Sequence, residues 1–471
     1  MLTREDIGRE GTKVLKWIEH YFAILKDLPV KSQVRPKEIY SAIPAGIPYE
    51  GESFDQILKD TTDIILPGIT HWQHPNFHAY FPANSSVESL FAEMITSAIA
   101  AQCMIWNTSP AAAELEERMM EWMRDAMGIP SSWEGVIQDT ASTATLVAII
   151  CARERTTNFK ANEEGIPPGL RIYCSSQTHS SIEKAAIVAG FGRKNVVKIS
   201  VDADQRLNHT ILEKQILEDL QKGHIPCCVV AAVGTTGTVA VDEIEQLGEI
   251  CNAHDIWLHI DAAYAGSALF LPEYQWMIEG IDMADSFVFN PHKWLFTNFD
   301  CTAYYVKDAE HLIRTFEILP EYLKTETRGR VNDYRDWGIP LGRRFRALKL
   351  WYVLRSYGLS GIQQRLRKHI HLTETFVNSL SANDNFEIII PPFLNTCGIR
   401  FNPSGHYKGE VALNQLNKSL LEQINNSGRA YLSHTMIDGK YVIRVVIGQT
   451  YVDQKDVDRL SGVLVDFAKV S

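Results

Sequence analysis

The stretch Asp285–Cys301 reads DSFVFNPHKWLFTNFDC. A short apolar run, Phe287 to Phe289, breaks at Asn290-Pro291. His292, Lys293 and Trp294 follow at once, and a second apolar run covers Cys301 to Val306. This pattern predicts a strand, a tight turn with Lys293 at its tip, and a second strand. A turn lysine ordinarily lies in water, its stem covering apolar surface. The alternative is an amine held in a dry pocket, where it forms a Schiff base with an aldehyde cofactor.

A second stretch bears on that choice. Ile256–Tyr264 reads IWLHIDAAY, a run of buried-strand character that ends in Asp261 and then small residues. In an open α/β sheet, an acid at the carboxyl end of a strand lies where such folds bind ligands. A pyridoxal phosphate enzyme needs this pair of groups, a lysine for the aldehyde and a carboxylate for the pyridine nitrogen. Capping or salt-bridging is the other role open to Asp261.

The chain has 471 residues, which suggests two or three domains. Its formal charge of -11 argues against a nucleic-acid partner, although Arg343-Arg344-Phe345-Arg346 is a local basic run. The eight cysteines form no CxxC pair, and several sit inside apolar runs, so neither a disulfide framework nor a zinc knuckle is expected. The N-terminus is charged and no apolar span is long enough to cross a bilayer. A soluble, cytoplasmic protein without membrane association is the simplest expectation.

Around the two stretches the chain alternates. Helices are expected over residues 4–27, 53–65, 89–106 and 111–127, with Ser53 capping the second. Residues 71–84, HWQHPNFHAYFPAN, are dense in aromatics and histidine without regular period. They read as a packed loop or as a pocket wall for a flat apolar ligand; the histidines lack the carboxylate or cysteine partners of a familiar metal site, so none is expected. Gly135–Gln138 leads through Asp139-Thr140-Ala141-Ser142 into a helix, whose free N–H groups would suit a phosphate as readily as a simple cap. A βαβα rhythm then runs to Lys293 and predicts a mostly parallel sheet covered by helices. His179, Thr236, Asp261 and Lys293 all fall at or just beyond strand ends. Glu317–Asp336 reads as an exposed, mobile loop carrying Tyr322. Helices over 339–357 and 361–383 follow, then a smaller α+β region with strands at 386–390, 397–401 and 441–446.

With NPHKW, HIDAAYAGSA and HWQHPNFHAYFP read together, the chain resembles the aromatic L-amino acid decarboxylases, a pyridoxal phosphate group that includes dopa, tyrosine and tryptophan decarboxylases. The resemblance covers nearly the whole chain. It implies the fold-type I, aspartate aminotransferase-like α/β architecture and a homodimer with shared active sites. The domains would be an N-terminal helical dimerisation segment (1–85), a large cofactor-binding domain (86–345) and a small C-terminal domain (346–471). Carried over motif by motif, Lys293 is the Schiff-base lysine and Asp261 the partner of the pyridine nitrogen. Ala263 lies against the ring and His179 stacks on its other face. Ala141 and Ser142 hold the phosphate, with Asn290 and His292 nearby, and Thr236 approaches the cofactor or the substrate carboxylate. Trp72, Tyr80, Phe81 and Pro82 resemble substrate-pocket residues. Tyr322 of the Tyr-Leu-Lys motif resembles the loop tyrosine that protonates the substrate α-carbon once carbon dioxide has left. Related aldehyde synthases resemble phenylalanine there, so Tyr322 argues for amine formation, with oxidative aldehyde synthesis as the alternative.

Some positions depart from the animal dopa decarboxylases. His78 stands where a second aromatic is expected and Ala83 where threonine is. Gln102 and Met104 replace larger residues, and Asp139 precedes the phosphate loop where glycine is common. These departures leave the choice among tryptophan, phenylalanine, tyrosine and dopa open.

Overall fold

The computed structural model describes residues 2–318, 329–403 and 409–469. Tyr322 lies outside them. The chain divides into two compact units, residues 83–370 and residues 1–82 together with 371–471.

The 83–370 unit is built on a seven-stranded sheet. Its strands are β1 (Glu134–Gln138), β2 (Leu170–Ser175), β3 (Val196–Ile199), β4 (Ile225–Ala232), β5 (Trp257–Asp261), β6 (Ser286–Phe289) and β7 (Thr302–Val306). They lie in the order β1-β7-β6-β5-β4-β2-β3. All neighbours pair in parallel except β7, which is antiparallel to both β1 and β6. Both faces of such a sheet are covered, which is why β4 can run Pro-Cys-Cys-Val-Val-Ala-Ala with every one of these residues buried. The helix Ala141–Thr157 supplies Ala144, Val147, Ala148, Cys151 and Ala152 to the main core cluster, small residues that let it sit close on the strands. Because β1, β2, β4, β5 and β6 run the same way, their carboxyl ends form one edge.

The second unit holds an antiparallel sheet of β8 (Phe386–Phe393), β9 (Thr396–Phe401), β10 (Ser433–Ile437) and β11 (Lys440–Val446), in the order β10-β11-β9-β8. The helices Glu410–Asn426 and Gln454–Ala468 pack Leu416, Leu420, Ile424, Leu460 and Leu464 into its core. The N-terminal segment belongs to this unit. Val30 donates its N–H to the Gly428 carbonyl, His78 donates to Tyr431, and Val446 donates back to His78. The helix expected from residue 339 begins at Arg346, after a segment containing Pro340 and Gly342, and continues to Ser381 through a break at Gly358.

Other expectations hold in part. Ser53 caps its helix, accepting from the Gln56 N–H, and the helix passes into a π-turn over Thr61–Ile65. The helix expected over 89–106 spans Val87–Ile99 and ends at Ala100, whose φ of 51° is left-handed. Strand β10 has no counterpart in the sequence reading. Lys293 does not sit at the tip of a tight hairpin. Pro291 opens a helical turn, Pro291–Trp294, and β7 starts only at Thr302. Proline at a first helical position has its φ preset and lacks only an N–H that would go unpaired there.

Candidate active site

Asp261 is the last residue of β5 and is half-buried. Its Oδ1 accepts the Ala263 N–H at 3.0 Å, which fixes the carboxylate's direction at the sheet edge. Ala263 in turn accepts the Asn290 N–H at 3.0 Å, tying the end of β5 to the turn after β6. Asn290 is buried, and its Oδ1 lies 2.6 Å from the Thr302 hydroxyl. That hydroxyl also lies 3.1 Å from the Asp139 carbonyl, so one side chain joins the lysine turn to the loop that opens the Ala141 helix.

Lys293 is half-buried on its helical turn. Its N–H bonds to the Asn290 carbonyl at 2.9 Å, and its carbonyl accepts the Asn84 side-chain amide at 2.7 Å. The neighbouring His292 is buried. Its Nδ1 accepts the Cys301 N–H at 3.0 Å, its own N–H bonds the Cys301 carbonyl, and its carbonyl accepts the Asn84 N–H. Burial and the adjacent Lys293 charge push His292 down to about 3. A neutral ring with Nδ1 occupied as an acceptor carries its proton on Nε2.

His179 precedes the helix Ser181–Val188, its Nδ1 2.8 Å from the Ser181 hydroxyl and accepting the Ser181 N–H. Partial burial of the ring lowers its pKa; the Asp261 charge opposes that shift and the Lys293 charge adds to it, so the three groups share one electrostatic neighbourhood. Ala141 and Ser142 are the first two residues of their helix. Thr140 caps it, accepting from the Thr143 N–H, and Asp139 Oδ1 accepts the Thr140 N–H at 2.5 Å. First-turn N–H groups have no intrahelical acceptor and carry the positive end of the helix dipole. Thr236 is exposed in the turn after β4, which Gly234 enters with a φ of 86°.

The cofactor-binding set expected from the sequence therefore lies along one edge of one sheet: an amine, a carboxylate, an imidazole and a helix start with N–H groups lacking intrahelical acceptors. These groups fit a pyridoxal phosphate, with its aldehyde, its ring nitrogen and its phosphate. The pocket residues are placed differently. Trp72, Tyr80, Phe81 and Pro82 belong to the unit holding the N- and C-termini. There Trp72 stacks on Tyr80 at 6.0 Å, the Tyr80 hydroxyl lies 3.2 Å from that of Tyr431, and Arg444 lies over the Phe81 ring at 4.3 Å. Ala83, Gln102 and Met104 belong to the 83–370 unit. Gln102 accepts the Arg343 N–H through its side-chain oxygen, and Met104 accepts the Arg335 N–H through its carbonyl. The histidines of the 71–84 segment have structural partners. His71 Nδ1 meets the Tyr21 hydroxyl, His74 Nδ1 accepts the Asn76 N–H, and His78 Nδ1 bonds the Val446 carbonyl.

Residues 36–400 match the model of the pyridoxal-dependent decarboxylase conserved domain. The chain belongs to the pyridoxal-dependent decarboxylases. Among its relatives, tryptophan decarboxylase 2 of Oryza sativa subsp. japonica is 39% identical over 468 residues, which cover 96% of this chain and 93% of the relative. Phenylacetaldehyde synthase of Arabidopsis thaliana is 40% identical over 463 residues, covering 96% and 94%. A solved structure of Oryza sativa TDC with PLP and tryptamine superposes with a TM-score of 0.96 at 32% identity, covering 100% of this chain and 99% of that one. The fold-type I architecture and the pyridoxal phosphate requirement expected from the motifs agree with these findings.

Asn84 and Thr302 hold this decarboxylase's lysine turn, yet neither was singled out in the sequence. Asn84 does leave a trace there, as an amide closing a segment of aromatics. Thr302 opens an apolar strand and leaves none.

Proposed function

We propose that this decarboxylase acts on aromatic L-amino acids, releasing carbon dioxide and the corresponding arylalkylamine, with tryptamine and phenylethylamine among the candidate products. The observation that carries the reading is the Lys293, Asp261 and His179 constellation at one sheet edge, in a chain similar along nearly its whole length to a tryptophan decarboxylase. Pyridoxal phosphate, when bound, supplies an aldehyde for the substrate amine and a ring that accepts the electron pair released with carbon dioxide. Lys293 would hold the aldehyde until substrate displaces it, and would later free the product. Asp261, its Oδ1 held by the Ala263 N–H, would keep a proton on the ring nitrogen. His179 would lie on one face of the ring and Ala263 on the other. The N–H groups of Ala141 and Ser142 would bind the phosphate, with Asn290 and His292 beside it. Thr236 would face the cofactor or the substrate carboxylate. Tyr322 would deliver the proton to the substrate α-carbon. Trp72, Tyr80, Phe81, Pro82, Ala83, Gln102 and Met104 would shape the aromatic side-chain pocket.

The working unit would be a cytoplasmic homodimer in which residues 1–85 meet the partner, 86–345 bind the cofactor and 346–471 form the small domain. Exposed apolar side chains in the N-terminal segment support this assembly: Ile47 and Tyr49 are 97% and 99% exposed. Among the described residues no helix is long and apolar enough to cross a membrane.

A second reading is an aromatic acetaldehyde synthase, favoured by the likeness to phenylacetaldehyde synthase. The two separate in one assay. The cofactor-loaded protein is incubated with tryptophan, phenylalanine, tyrosine and dopa, and amine, aldehyde and hydrogen peroxide are measured together. Amine without peroxide is expected and would rank the substrates. Aldehyde with stoichiometric peroxide would establish the second reading instead.

A further inference from the structure

We propose that the ion pair between Asp300 and Arg346 is a positioning device for the cofactor lysine, acting through the three residues that lead into β7. The inference rests on the reading of Lys293 as the residue that carries the cofactor. Asp300, Cys301 and Thr302 each hold a different part of the lysine turn. Cys301 grips His292 twice, its N–H donating to the His292 ring at 3.0 Å and its carbonyl accepting the His292 N–H at 3.3 Å. Thr302 places its hydroxyl against both Asn290 Oδ1 and the Asp139 carbonyl. Asn290 and His292 both lie just before Lys293 in the chain, so a shift of residues 300–302 along the strand direction is passed directly to the lysine.

What stops such a shift is Asp300. Arg346 donates to it through two atoms, Nε to Oδ1 at 2.9 Å and Nη2 to Oδ2 at 3.1 Å. Two parallel bonds fix orientation as well as distance, which a single contact does not. Both side chains are less than a fifth exposed. Arg346 is the first residue of a long helix, so the anchor point is itself held by the helix framework. Further support comes from the same helix face. Lys349, three residues on and 1% exposed, places its ammonium 2.7 Å from Glu93, which Arg344 also meets at 2.6 Å. Burial alone would raise the Asp300 pKa, but the Arg346 guanidinium, with Lys349 and Arg344, holds it below the ordinary range, so the anchor stays charged. Asn84 completes the arrangement from the other side, through the carbonyls of His292 and Lys293.

An ion pair can also merely support the fold, and the two roles separate experimentally. Removing one partner leaves the other as an uncompensated, partly buried charge, which destabilises; removing both relieves that charge. Asp300→Asn, Arg346→Gln and the double variant are prepared with the wild type. For each, the thermal midpoint of the apoprotein and the dissociation constant for pyridoxal 5′-phosphate are measured, the latter by equilibrium dialysis and cofactor absorbance. Each single variant is expected to lower the midpoint and to weaken cofactor binding about tenfold or more, a loss of about 1.4 kcal/mol. The double variant is expected to regain the midpoint while cofactor binding stays weak. Recovery of binding along with stability, or wild-type binding in the single variants, would overturn the positioning role. Should a neutral variant fail to fold, Arg346→Lys keeps the charge and forfeits the two-point geometry. Weakened binding at an unshifted midpoint then supports the proposal, and unchanged binding defeats it. Wild-type protein that takes up no cofactor would overturn the reading of Lys293 as well.

Discussion

In the proposed mechanism Lys293 binds the cofactor and Tyr322 delivers the proton, and each can be removed alone. Lys293→Ala deletes the only atom of the turn able to bond an aldehyde covalently. Borohydride treatment of this variant is expected to leave no pyridoxyl group on the chain, and the visible absorbance of the lysine-bound cofactor should disappear; a trapped adduct on the peptide containing residue 293 would refute the assignment. Tyr322→Phe removes one oxygen and leaves an aromatic of the same outline. Substrate binding, followed by the spectral change on adding amino acid, is expected to persist while amine production is lost. Unchanged amine turnover would remove Tyr322 from the mechanism. General-acid steps of this kind contribute about 100- to 10,000-fold, so the loss should be unmistakable.

At the scale of elements, the HIDAAYAGSA motif has a packing reason beyond its acid. After Asp261 the chain turns into a 3-10 segment, Ala265–Phe270, every residue of which is buried. A Cβ added at Gly266 would fall on the Phe289 side chain, the last residue of β6 before the lysine turn. The small residues thus let two neighbouring strand ends approach closely enough for Ala263 and Asn290 to bond. Gly266→Ala is expected to destabilise the protein by about 1–3 kcal/mol, the usual penalty for overpacking a filled core. It should also weaken cofactor binding, because Phe289 can yield only by moving the turn. A urea midpoint equal to wild type would show that the site has slack. The helix starting at Ala141 has its own local logic: the Thr140 cap takes the Thr143 N–H and leaves those of Ala141 and Ser142 without an intrahelical acceptor, a common arrangement that gains meaning only from its place beside β6 and β7.

The whole molecule carries a pH dependence set by its buried histidines. Burial pushes His74, His78 and His259 down to about 4 from an ordinary 6.5. Between those values the unfolded chain binds protons that the folded chain refuses. Each ring therefore removes stability as pH falls below about 6.5, by at most about 1.4 kcal/mol per pH unit. Asp242 works in the opposite direction. Burial raises it to about 6 although it accepts the backbone N–H groups of Leu207 and Ala232, so the folded chain takes up its proton first and offsets one ring. Stability is expected to hold above pH 7 and to fall steadily from 6.5 to 5, read as the thermal midpoint at fixed ionic strength. A midpoint unchanged over that range would mean that these rings are not buried as neutral groups in solution.

Much of this protein was legible along the chain. Strands of continuous apolar residues, each followed by a small or polar residue, gave the parallel sheet, because a strand covered on both faces must be apolar throughout and its carboxyl end must not be. The positions of His179, Thr236, Asp261 and Lys293 follow from that rule together with the motifs. Tertiary structure alone decided the rest. Asn84 bonds Lys293 across 209 residues and Arg346 bonds Asp300 across 46; contacts between distant residues impose no period on either segment. The same holds for the helix that stops at Ala100 and for the N-terminal segment joined to the C-terminal sheet through Tyr431 and Val446. A hydrogen-bonding pattern repeated every few residues is written locally, whereas the partner that satisfies a single buried group is known only once the chain has brought it there.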